Sequence, residues 1–168
     1  ENSHRHLARL VPPEVDLYFV ENHRVFMESI ARQARALFKG KVLAITGSTG
    51  KSHSSLLIYS LLKQKFLSQF NEGNRNSFFG VCELLLNIKK ETELLVVELG
   101  ARQRGELTAL GELVRPQNGL LTNIQHSHLS GLKDLSGVKE MKFELLAGPW
   151  VKTAFLNAGD PQQNWKAP

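Results

Sequence analysis

The sequence predicts an α/β fold, a three-layer P-loop domain in which a mainly parallel sheet is flanked by helices. Short apolar segments alternate along the chain with segments of helical periodicity. The short segments are apolar throughout instead of alternating with polar residues, which is typical of parallel strands covered on both faces. The first of them leads into a glycine-rich loop and then a helix, the order in which phosphate-binding loops are built.

Each element follows from the local pattern. Residues 1–24 predict a lead-in segment with one short strand at 17–20, ahead of a domain at 25–168. Apolar residues at helical spacing predict helices over 25–38, 51–66, 79–88, 105–114 and 138–146. Apolar and β-branched runs predict strands over 41–46, 94–99, 119–124 and 153–156. The polar segment 68–77 predicts an irregular loop.

Composition narrows the classes of function. The 168 residues include 21 Lys and Arg against 16 Asp and Glu, a net charge of +5, and 42% are apolar. A chain of this kind folds around its own core, and its apolar runs are shorter than the roughly 20 residues of a membrane span. The single cysteine, Cys82, excludes an intrachain disulfide and favours a reducing compartment. The modest positive charge favours phosphate-bearing small molecules over nucleic acid as partners.

The strongest functional signal is the loop after the first predicted strand. Glycines let backbone N–H groups converge on a phosphate, and the following helix adds the positive end of its dipole. Lys51 would contact the outer phosphates and the Ser52 hydroxyl would ligate Mg²⁺. Ile45 stands where the strict Walker pattern has glycine, so the sequence has a shorter Gly-x-x-Gly-Lys-Ser loop. The alternative interpretation is a plain turn with a solvent-exposed lysine. The predicted cofactor-binding residues are Thr46, Gly47, Ser48, Thr49, Gly50, Lys51 and Ser52.

Other polar residues follow strands, where open parallel sheets bind their ligands. Glu98 ends an apolar strand, so it predicts either a Mg²⁺ ligand or a hydrogen-bonded or solvated acid. His126 and His128 follow another strand, and they predict either ligands of a transition metal or solvated side chains. By periodicity alone, Lys142 is an ordinary lysine on an amphipathic helix.

Several motifs in order resemble the Mur ligases, the ATP-dependent amide-forming enzymes of peptidoglycan synthesis. They are the short P-loop, Gly-Asn-Arg-Asn-Ser at 73–77, Val-Glu-Leu-Gly-Ala at 97–101, Thr-Asn-Ile at 122–124, His128 with Leu129, Lys142, and Leu-Asn-Ala at 156–158. The resemblance runs from about residue 20 to residue 160 and covers most of the family's central, ATP-binding domain. It is greatest to the branch that adds D-alanyl-D-alanine to a UDP-N-acetylmuramoyl-tripeptide.

The resemblance implies a role for each matched residue. The loop and Lys51 would bind the phosphates of ATP, and the family's substrate side of the cleft would include Asn74 and Asn76. Lys142 matches a lysine that CO₂ carbamylates, which converts a cation into a carboxylate-like group. The catalytic residues implied are Lys51, His128 and Lys142. The ligands implied for Mg²⁺ are Ser52, Glu98 and His128.

The reaction implied is peptide-bond formation driven by ATP through an acyl phosphate, in the cytoplasm. The partners would be ATP, a UDP-linked muramoyl peptide and D-alanyl-D-alanine, with no nucleic acid. Both ends of the chain look cut. The family's N-terminal and C-terminal domains and the end of its central domain are expected to be missing, and the isolated chain to be inactive or nearly so. Another ligase with this core, of the folylpolyglutamate or cyanophycin type, stays open. So does a non-catalytic nucleotide-binding module, which His53 favours because the family usually has a small hydroxyl residue there.

Overall fold

The computed structural model describes residues 11, 12, 14–125 and 134–163, and it confirms the predicted α/β class. Five parallel strands form one sheet in the order β2-β3-β1-β4-β5. The strands are β1 (Lys41–Thr46), β2 (Ser68–Phe70), β3 (Leu94–Glu98), β4 (Asn118–Leu121) and β5 (Thr153–Leu156). The helices are α1 (His23–Leu37), α2 (Lys51–Leu62), α3 (Phe78–Leu86), α4 (Glu106–Val114) and α5 (Leu135–Phe143), followed by a 3₁₀ turn (Pro161–Gln163).

The core surrounds β1, which lies between β3 and β4. Val42 and Ala44 of β1 are fully buried in one apolar cluster with leucines of α3 and α4 and with Ala31 of α1. Helix α2 packs instead against β1, β2 and β3. Because β1 is central and its last residue leads directly into the glycine-rich loop, the loop lies in the middle of the sheet's carboxyl edge.

Two predicted local structures were wrong. Residues 68–70, expected to be irregular, form the edge strand β2, which pairs with β3 from Ser68 to Phe70. Three residues that are mostly polar carry too little periodicity to reveal a strand. Residues 17–20, expected to be a short strand, form none, and their side chains are exposed. Within the described part of the chain, no helix has the length and apolar character that a bilayer crossing requires.

Arg35 links α1 to the end of α4. Its side chain is buried, and its guanidinium group donates hydrogen bonds to the backbone oxygens of Val114, Phe38 (3.2 Å) and Arg115 (2.9 Å). Burial, together with the charge of Arg115, lowers the pKa of Arg35. Because the last carbonyls of a helix lack partners within it, this contact stabilises the end of α4 just before β4 begins.

Candidate functional site

The loop between β1 and α2 exposes backbone donors at the carboxyl edge of the sheet. Gly50, the residue before α2, has a φ of 77°, a left-handed conformation that favours glycine. Helix α2 begins at Lys51 and has no side-chain N-cap. The N–H groups of Lys51, Ser52 and His53 therefore have no acceptor within the helix, and the positive end of its dipole lies among them. These are the features of an anion-binding site.

The segment 122–125, here called the β4 loop, holds Ser48 and Thr49 of the glycine-rich loop by hydrogen bonds. Ser48 N–H donates to the backbone oxygen of Asn123 (3.0 Å), and Thr49 N–H donates to the Asn123 side chain (2.9 Å). The Thr122 hydroxyl donates to the Thr49 backbone oxygen (2.7 Å). The close approach of Thr122 to the loop requires glycine at position 47, because a Cβ there would lie 1.9 Å from the Thr122 hydroxyl oxygen.

Lys51 lies across the loop that precedes it. Its Nζ donates to the backbone oxygens of Gly47 (2.9 Å) and Ser48 (3.3 Å). Burial lowers the pKa of Lys51, and the nearby carboxylate of Glu98 opposes that effect. The lysine is therefore a partly buried cation beside the free N–H groups of α2, where it can contact a bound phosphate.

Glu98 is held in place at the end of β3 by two asparagines. It is 1% exposed, and its Oε1 accepts a hydrogen bond from Asn76 Nδ2 (2.7 Å). Asn71 accepts from the backbone N–H of Glu98 (2.7 Å) and donates to its backbone oxygen (2.9 Å). Glu98 and Ser52 line one cavity of about 470 Å³. A carboxylate and a hydroxyl sharing a cavity are hard oxygen donors, so these residues fit a Mg²⁺ ion.

Lys142 is buried on α5, although periodicity alone made it a surface residue. Its side chain is 1% exposed. Burial is the main reason why the pKa of Lys142 is lowered to about 8, with the charge of Lys51 adding to the effect and Glu106 and Glu144 opposing it. A lysine with this pKa is partly neutral at neutral pH, and a neutral amine is a nucleophile.

The lowered pKa of Lys142 predicts a pH-dependent stability. An unfolded lysine has a pKa near 10.5, so between pH 8 and 10.5 the unfolded chain binds more protons and stability rises with pH. In CO₂-free buffer, Lys142→Met is expected to raise the free energy of unfolding at pH 7 by about 3 kcal/mol. The gain should disappear as the pH approaches 10.5. Urea titrations at several pH values measure it.

The matched control for this prediction is Lys139→Met on the same helix. Lys139 is half-buried, with its Nζ over the Phe143 ring. We expect its variant to show no gain that depends on pH. If Lys142→Met changed the free energy of unfolding by the same amount at pH 7 and pH 10, the result would contradict a stability penalty from burying the lysine cation.

The structure brings most of the predicted residues to one edge of the sheet. Lys51, Ser52, Glu98 and Asn76 lie around the loop, and Lys142 lies close enough to Lys51 for their charges to interact. The other predicted residues named next are not part of this group. The Thr46 hydroxyl donates to the Leu99 backbone oxygen (3.0 Å), Asn74 is exposed in a turn after β2, and His126 and His128 lie outside the described residues.

Sequence reasoning assigned no role to Asn71 or Asn123. Asn71 directly follows β2, so the unpredicted strand hid its position. Asn123 was part of the Thr-Asn-Ile motif at the end of a predicted strand, but its contact with Thr49 spans 74 positions of sequence. Within the described ranges, no group of three or more His, Cys, Asp or Glu could hold a metal ion. Among the described residues, Ser52 and Glu98 are the predicted ligands whose oxygen atoms line one cavity beside the loop.

The fold and the site define a P-loop domain, with the features of an anion-binding site at the carboxyl edge of a parallel sheet. The chain belongs to the Mur ligase family, whose middle domain matches residues 45–167. It is similar to enzymes named UDP-N-acetylmuramoyl-tripeptide--D-alanyl-D-alanine ligase. Identity is 36% to that of Buchnera aphidicola subsp. Acyrthosiphon pisum, over 82% of this chain and 30% of the relative. Identity to the Escherichia coli enzyme of the same name is 32%, over 93% of this chain and 35% of the relative. The chain spans about a third of the length of these relatives.

Solved structures agree with this family. MurF from Acinetobacter baumannii superimposes with a TM-score of 0.80 at 27% identity, over 90% of this chain and 34% of that one. MurF from Thermotoga maritima, in complex with ADP, gives a TM-score of 0.78 at 28% identity, over 90% of this chain and 36% of that one. Escherichia coli FolC, at 14% identity and a TM-score of 0.54, shares the fold alone. The predicted resemblance to the Mur ligases is confirmed.

Proposed function

We propose that this chain is the ATP-binding part of a ligase that joins D-alanyl-D-alanine to a UDP-N-acetylmuramoyl-tripeptide. The observation that carries the proposal is the convergence of Lys51, Glu98 and Lys142 at the phosphate-binding loop. The names of the similar full-length enzymes support the substrates. Because ATP and a UDP-linked peptide are the proposed substrates, the proposal places the reaction in the cytoplasm.

In this proposal the residues of the chain prepare ATP for attack by a carboxylate. The N–H groups at the start of α2 and the Lys51 ammonium bind its phosphates, and Ser52 and Glu98 would hold Mg²⁺. When bound, Mg²⁺ supplies positive charge to the phosphate oxygens. The peptide carboxylate attacks the γ-phosphate to form an acyl phosphate with loss of ADP. The amine then attacks the acyl carbon, and phosphate leaves. Asn76 holds the Glu98 carboxylate, which lines the cavity, and Asn71 holds the Glu98 backbone.

We infer that Lys142 carries a carbamate in the active protein. Its neutral amine attacks the carbon of CO₂: an N–C bond forms, the electron pair of one C–O π bond moves to that oxygen, and one of the two amine protons is released to solvent. The product is an anion. Burial disfavours a charge of either sign here. The charge of Lys51 opposes the lysine cation and would attract a carbamate anion, whereas Glu106 and Glu144 act in the opposite sense. The support for the carbamate is therefore the lowered pKa of Lys142, which supplies the neutral amine that reacts with CO₂, together with the nearby charge of Lys51.

We also propose that the domain at 25–168, after the lead-in at 1–24, completes catalysis only together with further domains. The chain spans about a third of the relatives, so other parts of such enzymes have room to bind the sugar nucleotide and the amine. Alone, it is expected to bind nucleotide without turnover. Substantial ligation by these residues alone would contradict this division of labour.

A chimera tests the proposed function. Residues 20–160 would replace the matching segment of the Escherichia coli relative, and phosphate release from ATP would be measured with the UDP-linked tripeptide and D-alanyl-D-alanine. We expect release that requires both, and none in the matched chimera with Lys51→Ala. Nucleotide binding with no release would favour the non-catalytic module.

A further inference from the structure

Two sets of backbone N–H groups in and after the glycine-rich loop differ in their partners. Those of Ser48 and Thr49 already donate to Asn123, one to its backbone oxygen and one to its side chain. Those at the start of α2, from Lys51 to His53, have neither a side-chain cap nor an acceptor within the helix. A bound phosphate therefore meets a loop in which part of the donors is already used.

One side chain, Asn123, holds Thr49 by two groups at once. Its Oδ1 accepts from Thr49 N–H (2.9 Å), and its Nδ2 donates to the Thr49 hydroxyl oxygen (2.9 Å). The neighbouring Thr122 hydroxyl binds the Thr49 backbone oxygen. All three polar groups of Thr49 are thus held by two consecutive residues. Such a set of contacts fixes both the position and the rotation of the Thr49 peptide group.

The β4 loop that carries Asn123 is itself anchored on both sides. Ile124 N–H donates to Asp160 Oδ2 (2.9 Å), which ties the loop to the segment after β5. Gln125 N–H donates to the Ser48 hydroxyl (3.0 Å), and that hydroxyl lies within hydrogen-bond distance of the Gln125 backbone oxygen (3.1 Å). A support held in this way cannot withdraw from Thr49 without breaking several hydrogen bonds together.

We propose that Asn123 is a positioning residue of the phosphate site. It keeps the N–H groups of Ser48 and Thr49 committed to the β4 loop both with and without nucleotide. The phosphate is bound by the N–H groups of residues 51–53 and by the Lys51 ammonium. Asn123 therefore acts on nucleotide affinity through the shape of the loop and does not touch the nucleotide. This inference rests on the proposed nucleotide-binding function.

Amide hydrogen exchange on the full chain, resolved by residue with NMR, tests the proposal. Without nucleotide, Ser48 and Thr49 N–H should be protected and the N–H groups of residues 51–53 should exchange faster. Adding Mg²⁺ and ADP should slow exchange at 51–53 and leave Ser48 and Thr49 unchanged. Asn123→Ala should speed exchange at Thr49 by about tenfold or more while the strands β1 and β3 keep their protection. Asn118→Ala, at the start of β4, is the matched control and should change neither the exchange at Thr49 nor the protection of β1 and β3.

Two further variants separate positioning from a general loss of structure. Asn123→Asp retains an acceptor for Thr49 N–H, so it should restore the protection that Asn123→Ala removes. ADP affinity, measured by calorimetry, should fall by about tenfold in Asn123→Ala. In a Thr49→Ala background, Asn123→Ala should lower the ADP affinity by a smaller factor, because part of the contact between the two side chains is already absent.

Specific results would overturn the proposal. One is a Thr49 N–H that exchanges freely in the unbound wild-type chain. Another is a Thr49 N–H that loses its Asn123 partner when ADP binds, revealed by tighter ADP binding in Asn123→Ala, since the asparagine would then compete with phosphate. If the wild-type chain binds no ADP, the proposed function fails. The exchange pattern without nucleotide still decides whether Asn123 holds Thr49.

Discussion

Replacing Lys51 with alanine is expected to lower the affinity of this chain for Mg²⁺-ATP by about 100-fold or more. The ammonium group is partly buried beside the free N–H groups of α2, where it can make charge-assisted hydrogen bonds to phosphate oxygens. Each such bond contributes about 1.5–3 kcal/mol, and two of them account for a loss of this size. Isothermal titration calorimetry of both proteins with Mg²⁺-ATP gives the affinities directly.

The matched control is Lys63→Ala, at the other end of the same helix. Lys63 is exposed and contacts the Tyr59 ring, so its loss removes the same formal charge far from the loop. We expect its affinity to stay within about twofold of wild type, because exposed charges at this distance are screened by salt. An ATP affinity that survives Lys51→Ala would show that the glycine-rich loop is not the phosphate site.

The place of the glycine-rich loop in the fold was predictable because its pattern is local in sequence. The loop at 46–52 lies between an apolar strand and a helix, and the structure has the same order. The role of Glu98 was half predictable, since an acid at the end of a buried strand needs a partner. Its contacts with Asn71 and Asn76 were not predictable, because they depend on β2 lying beside β3.

Lys142 shows the limit of periodicity as a guide to burial. An amphipathic pattern predicts which face of a helix is apolar, but it does not reveal that another element will cover a polar position. In the fold, α5 buries Lys142 almost completely, near the Lys51 charge. Resemblance to the Mur ligases implied a special role for this lysine, and the burial now gives that role a physical reason. The part of the site that involves His128 lies outside the described residues and stays a prediction.

Lys142→Ala in the chimera is expected to lower the ligation rate by about 100-fold, a typical loss when a preorganised charged group beside a reacting phosphate is removed. If the active group is a carbamate, the wild-type chimera should lose activity in CO₂-free buffer and regain it on adding bicarbonate. Carbamylation needs the neutral amine and dissolved CO₂, so at a fixed concentration of dissolved CO₂ recovery should be faster as the pH rises toward about 8, the pKa of Lys142, and should level off above it. Phosphate release against time measures both effects.

Short carboxylic acids distinguish a carbamate from a lysine that acts through its positive charge. Lys142→Ala leaves space in a buried site, so added acetate or formate can supply a carboxylate there and should restore part of the rate. Lys142→Arg keeps the charge and cannot form the carbamate, so it should be as slow as the alanine variant. Lys139→Arg, on the same helix, should leave the rate unchanged. A fully active Lys142→Arg chimera would instead show that a cation at this position is sufficient, and the carbamate would have no part in the reaction.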